Sequence, residues 1–71
     1  MVNEPPKVAP DGRYPIGQAA ELLGIGRTTL RRHADRGPRN GGIAFTTPKG
    51  STKKYFSGRD LLAYWRRRTG A

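Results

Sequence analysis

The stretch from Ile16 to Asp35 constrains this chain more than any other. Ile16, Ala19, Ala20 and Leu23 recur at steps of three and four residues, the spacing of one helix face. Gly24-Ile25-Gly26 then interrupts the pattern. A glycine just past a helix takes the left-handed conformation that ends it. A second helical pattern follows, with Leu30 and Ala34 as its apolar pair. The spacing predicts one helix over Gly17 to Leu23, with Gly17 as its N-cap. It predicts a second over Arg27 to Arg36, capped by Gly26 and ended by Gly37-Pro38. Two short helices joined by a tight glycine turn make a helix-turn-helix.

The second helix is unusually basic, with Arg27, Arg31, Arg32 and Arg36 in it. Charge is unevenly spread along the whole chain. Residues 1–26 carry Lys7 and Arg13 against Glu4, Asp11 and Glu21. Residues 27–71 carry twelve Lys and Arg against Asp35 and Asp60. A basic surface of that density points to a polyanionic partner, nucleic acid first among them. The plainer alternative is a cationic surface that serves only solubility.

Seventy-one residues make one small domain with a thin core. There is little room for an enclosed active site. The chain has no cysteine, so neither a disulfide nor a thiolate-bound zinc holds it together. No apolar run approaches the ~18 residues of a membrane span, and no signal-peptide pattern is present. These features fit a cytoplasmic protein.

Residues 1–13 contain Pro5, Pro6 and Pro10 among mostly polar neighbours and read as a disordered tail. The domain is expected over residues 14–71, with Tyr14 and Ile16 packing near the helix starts. After the second helix, Ile43-Ala44-Phe45-Thr46-Thr47 has the alternation of a half-buried strand. Pro48-Lys49-Gly50-Ser51 is turn chemistry, and Lys53-Lys54-Tyr55-Phe56 reads as the returning strand. Ser57-Gly58-Arg59-Asp60 then resembles a capping box that opens a third helix. Leu61, Leu62 and Trp65 form its inner face, and Arg66-Arg67-Arg68 close it where cations suit the dipole.

The expected fold is therefore α+β and mostly helical: a single winged helix-turn-helix domain, with the hairpin as wing and a C-terminal helix. A lone hairpin is marginal in water, so its apolar residues must pack on the helices. The hairpin residues expected to pack on the helices are Ile43, Phe45 and Tyr55; the expected core is Ile16, Ala20, Leu23, Ile25, Leu30, Ala34, Phe45, Tyr55, Leu61, Leu62 and Trp65.

Within this frame the order Ile16-Gly17-Gln18-Ala19-Ala20-Glu21-Leu22-Leu23-Gly24-Ile25, then Arg27-Thr28-Thr29-Leu30-Arg31-Arg32, resembles the DNA-binding domain of the MerR family. Thr29-Leu30-Arg31 sits where that family opens its recognition helix. Thr47-Pro48 through Lys54-Tyr55-Phe56-Ser57, followed by Asp60-Leu61-Leu62, looks like the family's wing and next helix. The likeness covers Tyr14 to Trp65. MerR regulators usually continue into a dimerising helix and an effector domain; this sequence stops at Ala71. A one-domain version is similar to phage excisionases, the recombination directionality factors. The Gly-, Ala- and Arg-rich composition suits a high-GC host such as an actinobacterium or its phage.

That resemblance implies a non-enzymatic protein that binds direct repeats in double-stranded attachment-site DNA, bends it, and biases a tyrosine integrase toward prophage excision. A symmetric dimer needs a self-complementary surface and the usual dimerising helix is missing, so a monomer is expected in free solution, with copies meeting head to tail on DNA in the cytoplasm of a bacterial host. The alternative of the same fold is a small MerR-like transcriptional regulator. A rival from another class is a basic RNA-binding protein. RNA recognition leans on exposed aromatic platforms, whereas the aromatics here fall mostly at core positions.

The expected DNA-binding residues of the recognition helix are Arg27, Thr28, Thr29, Arg31, Arg32 and Arg36. Arginine pairs bidentately with guanine, and threonine meets a base edge or a thymine methyl. On the wing they are Lys49, Ser51, Lys53 and Lys54. Solvated charge, or protection of a strand edge, is the plainer account of such residues. Arg66, Arg67 and Arg68 leave three roles open: phosphate contact, integrase contact, or none. His33 is the only histidine, and no Ser-His-carboxylate set points to catalysis. The glycines match neither a phosphate loop nor a dinucleotide fingerprint. No cofactor, metal, small-molecule ligand or membrane partner is expected.

Overall fold

A computed structural model describes residues 1–70 of the chain. In chain order it holds β1 (Arg13–Pro15), α1 (Ile16–Leu23), α2 (Arg27–Arg36), a short 3-10 turn (Pro38–Asn40), β2 (Tyr55–Ser57) and α3 (Gly58–Thr69). This is the α+β winged helix-turn-helix expected from the pattern of glycines and apolar residues.

α1 starts one residue earlier than the spacing predicts, with Pro15 rather than Gly17 at the N-cap. Pro15 sits at φ −64° and ψ 158°, so its ring-fixed φ already suits the extended cap position where β1 runs straight into the helix. Gly24 ends α1 in the left-handed region at φ 72°. Ile25 then donates its amide to Ala20 O at 3.0 Å, the six-to-one bond of a Schellman cap. α2 follows after Gly26 with the predicted limits, Arg27 to Arg36.

The chain leaving α2 folds back on that helix. Gly42 N donates to Gly37 O at 2.9 Å, and Ile43 N to His33 O at 3.2 Å. Gly42 is required there, since a Cβ at this position would stand 2.0 Å from His33 O.

The wing is simpler than the predicted hairpin. Thr46 and Tyr55 exchange two backbone hydrogen bonds of 2.9 Å each and form an isolated bridge. Ile43 to Phe45 and Lys53-Lys54 pair with nothing in a ladder. Pro48 offers no amide to extend the pairing, and two adjacent lysines gain nothing from a tight ladder. β2 instead finds its main partner in β1, antiparallel, with Tyr14 opposite Phe56.

That pairing sets which side of β2 is buried. Phe56 is fully buried and Tyr55 only half-buried, the reverse of the expectation that placed Tyr55 in the core. A shift of one residue exchanges the faces of a strand. Phe45 is likewise exposed, at 37%, although its ring lies 6.4 Å from that of Phe56.

The core comprises Ala19, Ala20, Leu23, Leu30, Ala34, Ile43, Phe56, Leu61, Tyr64 and Trp65. Ile16 and Ile25 pack against it half-buried, and Leu62 stays half-exposed where Tyr64 takes the inner position.

Residues 1–13, expected as a tail, run along the domain as a strap. Val2 N donates to Leu23 O at 3.0 Å, and the indole of Trp65 donates to Val2 O at 2.9 Å. Pro6 is buried, and Val8 packs on the core. The strap also caps α3. Gly58 N donates to Gly12 O at 3.0 Å and Arg59 N to Pro10 O at 3.2 Å. Asp60 N donates to Ser57 Oγ at 3.1 Å. Three of the orphan amides at the start of α3 thus find acceptors.

Candidate nucleic-acid interface

α2 meets the core through Leu30 and Ala34 and turns its other side to solvent. Arg27, Thr28, Thr29, Arg31, Arg32 and Arg36 are all exposed. Arg27, Thr28 and Arg31 share an open notch of about 200 Å³ with Ile16, at the junction of α1 and α2. The guanidinium of Arg27 lies across the first turn of α1. A Cβ on Gly17 would stand 2.6 Å from its Nη2, so the glycine makes room for it. Two arginines and a threonine thus line one concavity, and side chains of these types can donate to phosphate and base edges.

The wing residues divide. Lys49 and Lys53 are exposed. Ser51 is half-buried, and its Oγ accepts the Lys53 amide at 3.1 Å, which fixes the turn. Lys54 points back instead of outward. Its Nζ lies 4.0 Å from Asp35 on α2 and 5.3 Å from the centre of the Phe45 ring. Lys54 therefore ties the base of the wing to the recognition helix. The long separation and the exposed Asp35 make it a weak tether.

The end of α2 is held by residues that the sequence pattern did not single out for that task. Asn40 Nδ2 donates to Arg36 O at 3.1 Å. Arg67 donates from Nη1 to Pro38 O at 3.3 Å and from Nη2 to Gly42 O at 3.0 Å. Arg68 donates to Gly41 O at 2.9 Å, with its guanidinium 5.3 Å from the centre of the Tyr64 ring. Tyr64 in turn hydrogen-bonds His33 Nδ1 on α2. Arg66 is exposed.

His33 sits in this cationic surround. Burial lowers its pKa below 6.5, and Arg68, Arg36 and Arg32 lower it further. The Tyr64 hydroxyl is raised above 10 by burial, against the opposing pull of Arg68, Arg36 and Arg67. Both shifts favour the uncharged pair. Among the described residues no group of three or more His, Cys, Asp or Glu could hold a metal ion. No described helix is long and apolar enough to cross a membrane.

A short basic helix set by a glycine turn, followed by a wing, defines a DNA-binding helix-turn-helix domain. The family of helix-turn-helix domains matches residues 14–69, most of the chain, and the protein belongs to that family. No curated protein and no solved structure matches it. Sequence-specific binding of DNA is the function this family membership supports.

Proposed function

We propose that the protein is an excisionase: a small DNA-bending factor that directs an integrase toward excision of a prophage. The observation that carries the reading is the exposed row from Arg27 to Arg36 on α2, beside a wing whose base is tethered to that helix through Lys54 and Asp35. Arg27, Thr28, Thr29, Arg31, Arg32 and Arg36 enter the major groove, where guanidinium groups and hydroxyls read base edges. Lys49 and Lys53 meet the flanking backbone or minor groove, while Ser51 shapes the turn and Lys54 anchors its base.

One winged helix offers roughly 600–1,000 Å² of protein surface to DNA, a small specific interface. Several copies on direct repeats spaced about one helical turn apart would all lie on one DNA face. A head-to-tail contact between them does not close on itself, so copies extend along the duplex. The contact edges in this reading are Lys49 to Ser51 on one copy and the α2 end near Arg36 on the next. The summed bends bring the integrase sites together at a cost of several kcal/mol of DNA deformation, which the repeated contacts offset.

The test is selection of binding sites from random duplexes, followed by gel shifts on one, two and three tandem copies of the selected site. Direct repeats, affinity per site that rises with copy number, and bending in a permuted-fragment gel are the expected results. An inverted repeat bound by a stable dimer would overturn the excisionase reading and favour a MerR-like transcriptional regulator.

A further inference from the structure

Three arginines end α3, and in a DNA-binding domain they invite assignment as phosphate contacts. Two of them, though exposed, donate to main-chain oxygens of the chain itself. Arg67 spans Pro38 O and Gly42 O with its two terminal nitrogens, so one guanidinium closes both ends of the loop after α2. Arg68 takes Gly41 O between them. The loop they hold is the one whose far end delivers Ile43 N to His33 O, inside α2. The same loop leads directly into the wing, which begins its bridge at Thr46. One clamp on α3 therefore fixes both the end of the recognition helix and the entry to the wing.

We propose that Arg67 and Arg68 are positioning residues for DNA readout, setting the angle between recognition helix and wing, and that they are not phosphate ligands. The inference rests on the DNA-binding reading of α2. Lysine is a poor substitute in this role. Its single ammonium nitrogen does not reproduce a planar fork that reaches two carbonyls at once. For a phosphate contact, by contrast, lysine keeps the positive charge and still binds as a point donor.

The experiment compares wild type, Arg67→Lys, Arg68→Lys and Arg66→Lys on the selected site and on random duplex, across a salt series. Amide exchange of Ile43 is followed in the free proteins. The expected result for Arg67→Lys is a several-fold loss of the cognate-to-random affinity ratio at an unchanged salt slope, with faster exchange at Ile43. Arg68→Lys should show the same pattern more weakly, and Arg66→Lys should show none of it. A loss of thermal stability alone, with the affinity ratio intact well below the melting temperature, would overturn the positioning role. So would an Arg67→Ala variant that weakens cognate and random DNA equally and lowers the salt slope by about one, the signature of a lost phosphate contact. Wild type that binds no duplex would remove the DNA reading itself, an outcome distinct from wild type that binds with Arg67→Lys unchanged.

Discussion

The indole N–H of Trp65 is donated to the carbonyl oxygen of Val2 at 2.9 Å, joining residues 63 positions apart. Trp65 is 5% exposed and closes the inner face of α3, so the bond ties the strap to the core. Deleting residues 1–9 removes this bond, the Val2–Leu23 bond and the packing of Pro6 and Val8. The expected loss is about 2–4 kcal/mol, from hydrogen bonds worth roughly 0.5–1.5 kcal/mol each and the apolar area re-exposed. Urea denaturation followed by Trp65 fluorescence measures it. An unchanged midpoint would mean that these residues behave as the tail their composition resembles.

Gly58 tests the same docking from the other side. A Cβ there would stand 1.9 Å from Ala9 O. Gly58→Ala should destabilise the full chain, because either the strap or the start of α3 must move. In the chain lacking residues 1–9 the clash is gone, and alanine's better helix propensity should make the change neutral or mildly stabilising. The difference between the two backgrounds is the coupling, read by a double-mutant cycle on urea midpoints. Equal effects in both would place the strap elsewhere.

His33 gives a pH dependence with a definite sign. Its folded-state pKa is depressed below 6.5 by burial and by Arg68, Arg36 and Arg32, so the unfolded chain binds its proton first as pH falls. Its stabilising contribution is therefore present above about pH 6.5 and is lost as pH drops through the folded value. Tyr64, raised above 10, adds stability that is lost as pH climbs past 10. Thermal melts from pH 5 to 8 should rise in this lower window, and His33→Gln should flatten that rise. A slope of the opposite sign in wild type would contradict the uncharged pairing of His33 with Tyr64.

The recognition helix and the wing should divide the work. Arg31→Ala or Arg32→Ala is expected to reduce discrimination between selected and random duplex by about 1–3 kcal/mol where a bidentate base contact is lost. Lys53→Ala should weaken both duplexes alike. Fluorescence anisotropy at fixed salt separates the two patterns. Uniform weakening by both arginine variants would move base readout off α2.

The helix-turn-helix was legible in the sequence because glycine carries its own geometry: Gly24 and Gly37 both have positive φ where helices end. Leu30 and Ala34 fixed the buried side of α2, and so the exposed side as well. What was not legible depended on distant partners. Phe56 rather than Tyr55 is buried because β1 pairs with β2, and a strand of three residues has no periodicity to read. Composition made residues 1–13 look unstructured, yet their ordering rests on backbone carbonyls that accept from α3, which side-chain identity does not report. Arg67 and Arg68 looked like surface charge because their acceptors are main-chain oxygens more than twenty residues away. The same holds for Lys54, whose partner Asp35 lies on another element.

On the proposed reading the exposed cations of α2 and the wing engage duplex DNA, at base edges and backbone, and a salt titration reads out that engagement. Arg27, Arg31, Arg32, Arg36, Lys49 and Lys53 are exposed, while Lys54, Arg67 and Arg68 are engaged within the chain. With about five to seven of the twelve basic residues after position 26 at phosphates, log affinity for the selected duplex should fall against log salt with a slope of roughly −5 to −6. A slope near zero, or no binding to duplex DNA at low salt, would contradict the account.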